Sequence, residues 1–393
     1  MTYRVTSRLA RTIPWLAAIG TLASAQDITA LRTEAWELFG RITQQAGNSG
    51  LPVWRTWRQG PEVFSSAPNP KTPRSLYLSL PREFEKLTTP PTGTYVLYES
   101  TYFNPDADAH IQMIRQKESL DILHRVNRRE VSEFPPAAVI AKAFWRKIPA
   151  GTTTNIGIWD WSIPSIFYYD TREENWPQQQ CVSLTSKNGC LLASDDFHVI
   201  NITSQNVGLF KCNVGCLPGG STGLIPGDSL MLIALHVAAK SRPDWFWSTF
   251  WWKGVSRRDG GTWTCDNAQR PPQIANSNPW RNYSMDVTAG FTTPKPAIAA
   301  GDSCGVPLTL PGDAQWLATF DPFVEARLAG GRSSSCIDCH ARARTPPTGK
   351  AANYVPKPGA TDDYPGLKDF EGHVRTDYDW SLAHFFDSLS SAK

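Results

Sequence analysis

The chain is poor in the features that mark several common classes of protein. Past residue 25 it has no apolar run long enough to cross a bilayer; the nearest, residues 230–239, is too short and holds His236. A net charge of +3 over 393 residues is too small to mark a binder of nucleic acid or of an anionic membrane. The sequence has no phosphate-cradling glycine loop, no His-Glu-x-x-His helix and no hydrolase triad pattern, so the chemistry those motifs serve has no support. No internal repeat occurs. Methionine is scarce, with only Met1, Met113, Met231 and Met285.

Against these gaps stands one specific signal, Cys336-Ile337-Asp338-Cys339-His340. This is Cys-x-x-Cys-His, the attachment sequence of a c-type haem. Two thiols three residues apart lie on one face of a helical turn, and each can add to one porphyrin vinyl group. The imidazole, four residues after the first Cys, shares that face and can ligate the iron as the proximal axial ligand. A thioredoxin-like redox pair would need a βαβ context, and here Gly330-Gly331 and a serine-rich stretch precede the motif. A structural zinc site would need a second ligand pair, and Cys212 with Cys216 is the other close pair.

The first 25 residues read as a signal peptide cleaved after Ala25: Arg4, Arg8 and Arg11, an apolar run over residues 13–22, then Ala23-Ser24-Ala25. Export predicts a periplasmic or secreted protein. The six cysteines outside the motif are an even number, suited to disulfides in an oxidising compartment. Short-range pairing suggests Cys181 with Cys190 and Cys212 with Cys216, leaving Cys265 with Cys304. Asn201 and Asn282 match the glycosylation acceptor pattern.

Residues 27–45 read as a helix, with Leu31, Ala35, Leu38 and Phe39 near the helical period. Residues 94–102 read as a strand closed by Asn104-Pro105-Asp106, and residues 109–118 as a short helix. An apolar run over residues 139–146 fits either element. The middle is richer in strand: residues 155–161, 165–169, 197–202 and 230–238, the last buried and carrying His236. The densest aromatic block, residues 243–252, follows. Residues 253–311 look mostly turn-forming, a long loop that Cys265 and Cys304 would pin. Asp321-Pro322 reads as an N-cap and first helical position for residues 323–328. A loop to about residue 372 leads to a last helix, capped by Thr376 or Asp377, with Leu382, Phe385, Phe386 and Leu389 on one face. The expected fold is α+β. A strand-rich middle packs with helices from both termini, and a C-terminal cytochrome c-like segment carries the haem. Residues 26–310 form the mixed body and residues 311–393 the haem attachment region packed on it.

Several blocks together carry a resemblance. They are residues 35–39 (Ala-Trp-Glu-Leu-Phe), 52–57 (Pro-Val-Trp-Arg-Thr-Trp), 141–146 (Ala-Lys-Ala-Phe-Trp-Arg) and His236-Val237 with residues 243–252. Residues 278–283 (Asn-Pro-Trp-Arg-Asn-Tyr), 336–340, 375–377 and Trp380-Ser381 complete the set. In these the chain resembles a group of exported bacterial proteins described as cytochrome c family proteins, with one Cys-x-x-Cys-His near the C-terminus. The resemblance implies one covalent haem c and export; it supplies no substrate. The cysteines between residues 181 and 304 lie outside that pattern.

The sixth iron ligand decides what such a haem does. No Met follows His340, so the Met loop of small cytochromes c is absent. His236, an imidazole in an apolar strand that needs a partner, is the first candidate, and His198 the second. Met231 and Met285 are further thioether candidates. His110, His124, His373 and His384 read as surface or loop residues. With two protein ligands the haem transfers electrons to and from a redox partner protein or a small-molecule oxidant or reductant. With an open distal side the protein becomes a peroxidase- or oxygenase-type oxidoreductase assisted by Arg281, Arg242 or a pocket Trp. A structural or sensory haem is the third reading.

Overall fold

Ser229–Ala239 is buried along almost its whole length, and that apolar run makes it the central strand of the molecule. The computed structural model describes residues 28–65, 75–81, 96–118, 128–159, 173–176, 178–185, 189–192, 196–214, 220–254, 269–277, 279–289, 308–309, 315–316, 319, 321–325, 336–346 and 372–390. Among these, no helix is long and apolar enough to cross a membrane. The architecture is mixed α and β, with a strand-rich sheet core and few helices.

The helices are α1 (Ile28–Thr43), α2 (Gly60–Val63), α3 (Pro105–Lys117), α4 (Pro272–Ala275), α5 (Cys336–His340) and α6 (Trp380–Ser390). The main sheet is built from β1 (Arg58–Gln59), β2 (Leu76–Ser79), β3 (Leu97–Phe103), β4 (Val139–Ile148), β8 (Val199–Asn201), β9 (Phe210–Val214), β10 (Ser229–Ala239), β11 (Phe246–Trp252) and β12 (Tyr283–Ala289). Its order is β12-β11-β10-β4-β3-β2-β9, with β1 beside β3 and β8 beside the start of β10. Neighbours run antiparallel except β2 and β9. A separate three-stranded sheet joins β5 (Thr153–Ile158), β6 (Gln178–Ser183) and β7 (Leu191–Leu192), and a disulfide links Cys181 to Cys190 there. Short pairs form between β13 (Leu308–Thr309) and β14 (Gln315–Trp316), and between β15 (Arg344–Thr345) and β16 (Val374–Arg375).

Register sorts the side chains between two faces, because cross-strand partners point the same way and successive residues alternate. On one face stand Val287, Phe250, Leu235 and Ala143. Here α1 docks: its buried stripe Leu31, Ala35, Trp36, Phe39 and Ile42 repeats at helical spacing, and Phe39 stacks on Phe250 at 4.2 Å. Each large side chain so buried contributes about 1.5–3 kcal/mol. On the other face stand Asp286, Thr249, His236 and Lys142, then Thr288, Trp247, Ala238 and Ile140. A second core covers that face with Ile111 and Ile114 from α3, Ile337 from α5, and Leu382 and Phe386 from α6. The C-terminal segment therefore lies on the face opposite α1.

Several expectations need correction. Asn104-Pro105 does more than close a strand: Asn104 caps α3, its side chain accepting the Ala107 N–H at 2.9 Å, with Pro105 in the first turn. Residues 139–146 are strand. Most of residues 253–311 lie outside the described residues, but within the stretch β12 is strand and pairs with β11 over its full length. The last helix is capped by Asp379, whose Oδ1 accepts the Ser381 N–H at 2.8 Å, and not by Thr376 or Asp377. Asn282 is buried and donates to the Asp196 carbonyl, which makes it unfit as a glycan acceptor. Cys212 is disulfide-bonded. Residues 1–25, Ser165 to Tyr169, Cys216, Cys265 and Cys304 lie outside the described residues.

Candidate functional site

The pentapeptide is helical, as its spacing requires: Cys336, Cys339 and His340 lie on the single turn of α5. Neither thiol is in a disulfide. Burial pushes the Cys336 thiol well up, and Glu325, Asp286, Cys339 and Asp321 push it further, so it stays protonated at neutral pH. Its Sγ lies 3.6 Å from the Thr319 carbonyl oxygen.

His340 is held from two sides. Its Nδ1 lies 2.9 Å from the Tyr378 carbonyl oxygen. A carbonyl can only accept, so Nδ1–H donates and Nε2 becomes the lone-pair nitrogen. The ring also lies against Trp247, with centroids 4.2 Å apart. Trp380 donates its indole N–H to the Cys339 carbonyl at 3.2 Å.

The loop that brings Tyr378 to His340 is strained. Trp245, Asp377 and Tyr378 are the non-glycine residues with positive φ among the described residues, at 62°, 47° and 67°. Such conformations cost on the order of 1–3 kcal/mol each and persist only where neighbours over-determine them. Here the neighbours do. Lys240 donates to Asp377 Oδ1 at 2.6 Å, and the Phe134 N–H donates to Oδ2 at 2.8 Å. Thr376 donates its hydroxyl to the Ala343 carbonyl at 2.9 Å, and the Tyr378 hydroxyl donates to Asp244 at 2.7 Å.

The expected sixth ligands are dispersed. His236 shares the sheet face with Trp247, one strand over and two residues along. Its Nε2, however, is turned to carboxylates, 3.6 Å from Asp321 Oδ2 and 3.9 Å from Glu325 Oε1. Burial lowers the His236 pKa, but Glu325 and Asp321 outweigh it and the net displacement is upward. His236, Asp321 and Glu325 offer ligand atoms within 4.8 Å of one another, a grouping able to hold a metal ion. His198 lies on the α1 side of the sheet, stacked on Trp280 at 5.2 Å and beside Trp54 and Trp145. Burial, with Arg55 near, pushes its pKa down to about 3, so it is neutral. Met285 pairs with Phe250 on that same side, and Met231 is fully buried near the start of β10. The structure does not bring His198 or Met285 to the face that bears His340.

The arginines assigned to a distal site sit elsewhere. Arg242 forms a two-pronged bond to Glu34 of α1, at 2.9 and 2.6 Å, and lies over Phe246. Arg281 is exposed beside α4. His110 donates its Nε2–H to the Ser132 carbonyl at 2.9 Å and packs on Phe134. Asp321 and Glu325 were not read as site residues from sequence. Their i, i+4 spacing, which puts two carboxylates on one face of a turn, is the signal that finds them. Comparison with protein-family models, with curated proteins and with solved structures finds no match.

Proposed function

We propose that this chain is an exported c-type haem protein that transfers electrons. One haem is joined to Cys336 and Cys339, with His340 as the proximal ligand. The observation that carries the reading is the Nδ1–H bond from His340 to the Tyr378 carbonyl, at the end of a helical turn bearing two thiols. That bond fixes the tautomer and the ring plane of a histidine that is to ligate through Nε2, as outer-shell partners do at metal sites. A haem bound by these residues would supply one-electron redox chemistry. The chain's own residues do the rest. Tyr378 and Trp247 orient His340, and Trp380 ties down the Cys339 carbonyl. Electron transfer is further supported by a run of rings: His340 to Trp247 at 4.2 Å, Trp247 to Trp245 at 6.1 Å, Trp245 to Phe134 at 5.3 Å, and Phe134 to His110 at 4.5 Å. These link the proximal ligand to α3. The Cys181–Cys190 disulfide agrees with an oxidising compartment and with removal of residues 1–25. The partner is a redox protein or a small-molecule oxidant or reductant.

A second reading rests on the orientation of His236. With that imidazole turned to Asp321 and Glu325, the distal side is left to exogenous ligands, and the protein is then a peroxidase- or oxygenase-type oxidoreductase. One experiment addresses both. The full chain is expressed in a host with haem-maturation machinery, and its intact mass and absorption spectrum are recorded. One added haem mass, lost in Cys336→Ser with Cys339→Ser, is expected; bare polypeptide overturns both readings. Bands that ignore cyanide and peroxide support electron transfer, and a high-spin, readily ligated spectrum selects the oxidoreductase.

A further inference from the structure

We infer that His236, Asp321 and Glu325 form a site for one divalent first-row cation of the Zn2+ or Mn2+ kind, separate from the Cys336–His340 turn. The three ligand atoms lie within 4.8 Å of one another, with His236 Nε2 at 3.6 Å from Asp321 and 3.9 Å from Glu325. Ligands about 2.1 Å from a tetrahedral cation stand roughly 3.4 Å from each other. The two separations from His236 Nε2, 3.6 and 3.9 Å, are within about 0.5 Å of that spacing, and the side chains close the rest by rotation.

Three further observations point to a cation. The first is hydrogen bonding. His236 Nε2 is fully buried and makes no hydrogen bond among the described residues, because both carboxylates stand beyond bonding distance. The second is charge. Two carboxylates face the one imidazole, and Asp321 is wholly buried. Lys142, the neighbouring cation on β4, is 2.8 Å from Glu99. A divalent cation placed among them is attracted by both carboxylates and can be ligated by a neutral histidine. The third is orientation. Thr249 donates its hydroxyl to Asp321 Oδ2 at 3.1 Å, the Phe323 N–H donates to Oδ1 at 2.8 Å, and the Asp321 N–H donates to Glu325 Oε2 at 2.5 Å. The Phe144 ring backs His236 at 4.8 Å. Ligands held by outer partners in this way are characteristic of metal sites. One imidazole with two carboxylates suits zinc or manganese better than magnesium or calcium, which favour all-oxygen sets. Three protein ligands leave a position for water.

The test uses the full chain, haem-loaded as exported or unloaded, stripped with EDTA and titrated separately with ZnCl2 and MnCl2. Calorimetry is paired with zinc and manganese content after gel filtration, a readout blind to haem iron. One equivalent of at least one ion is expected. Glu325→Gln should weaken it about 100-fold, and Thr249→Val, which removes only a support of Asp321, about tenfold. Far-ultraviolet circular dichroism confirms that both variants fold. Absence of saturable one-to-one binding of either ion overturns the proposal, as does undiminished binding in folded Glu325→Gln. Neither outcome bears on whether haem is attached at Cys336 and Cys339, which intact mass decides.

Discussion

Two side chains around the pentapeptide, one half-buried and one buried, make distinct demands on the solvent proton. His340 gives its Nδ1–H to a carbonyl, so its remaining nitrogen is committed as an acceptor or ligand. Asp379 is in a harder position. One oxygen accepts the Ser381 N–H, while Oδ2 is buried with no hydrogen-bond partner among the described residues. Burial pushes its pKa up to about 7 from the ordinary 3.8, although bonds from Ser381 and Leu382 pull it back. A raised folded-state value means that the native state binds this proton more tightly than the unfolded chain does. Stability is therefore present at low pH and lost as pH rises from about 4 to about 7. Asp379→Asn keeps the acceptor for Ser381 and abolishes the buried charge. Urea unfolding should show it up to about 4 kcal/mol more stable than the parent at pH 8 and nearly indistinguishable at pH 4. An equal gain at both pH values would place the effect outside this carboxyl. Lys240 and Asp377 make the complementary case. Their 2.6 Å pair is buried on both sides and holds a residue at positive φ. Removing one partner by Lys240→Met should cost about 3–5 kcal/mol, and adding Asp377→Asn should recover part of it.

At the scale of elements, β11 is where the site and the sheet meet. Its residues Trp247 and Thr249 face the C-terminal segment, one touching His340 and the other bonded to Asp321. If electrons pass along the ring series, Trp247→Leu should slow reduction of the haem by an external donor in stopped flow while the ferric spectrum is preserved. It should also cost about 3–5 kcal/mol for the cavity it leaves. Unchanged reduction kinetics in a folded variant would remove the ring series from the electron route. How much of this was legible in sequence follows from the range of each signal. The helical turn of α5 and the stripes of α1 and α6 depend on neighbours a few residues apart, so spacing alone reveals them. The strand β12 was missed although its alternation was present: Tyr283, Met285 and Val287 face α1 while Ser284, Asp286 and Thr288 face the other way. The surrounding proline and glycine outweighed it. Polar residues in a buried strand make sense only once Asp286 is seen across from Thr249. The convergence of His236 with Asp321 and Glu325 joins positions more than 80 residues apart in the numbering, and no local pattern encodes that.

For the molecule as a whole, the proposed reading makes attaching a haem and housing it separable tasks. Attachment depends on the chemistry of one turn. Housing depends on two distant segments, residues 336–346 and 372–390, meeting on the sheet. β15 pairs with β16, the Thr376 N–H donates to the Ala343 carbonyl at 3.1 Å, and α6 sinks Leu382 and Phe386 into the same core that takes Ile337 and Trp247. The helix α6 therefore acts on His340 indirectly, by holding Tyr378 in place. Phe386→Ala empties a wholly buried site in that core and should cost about 3–5 kcal/mol. Because thioether formation needs only the thiols and the porphyrin, the variant should carry one haem by intact mass. With Tyr378 less firmly placed, its absorption bands should broaden or shift and its exposure to small ligands should increase. Cys336→Ser should do the reverse, weakening the covalent link while the unfolding free energy stays within about 1 kcal/mol of the parent. A Phe386→Ala protein that lost its haem mass entirely would show that docking precedes attachment, and that the turn and the sheet act as a single device.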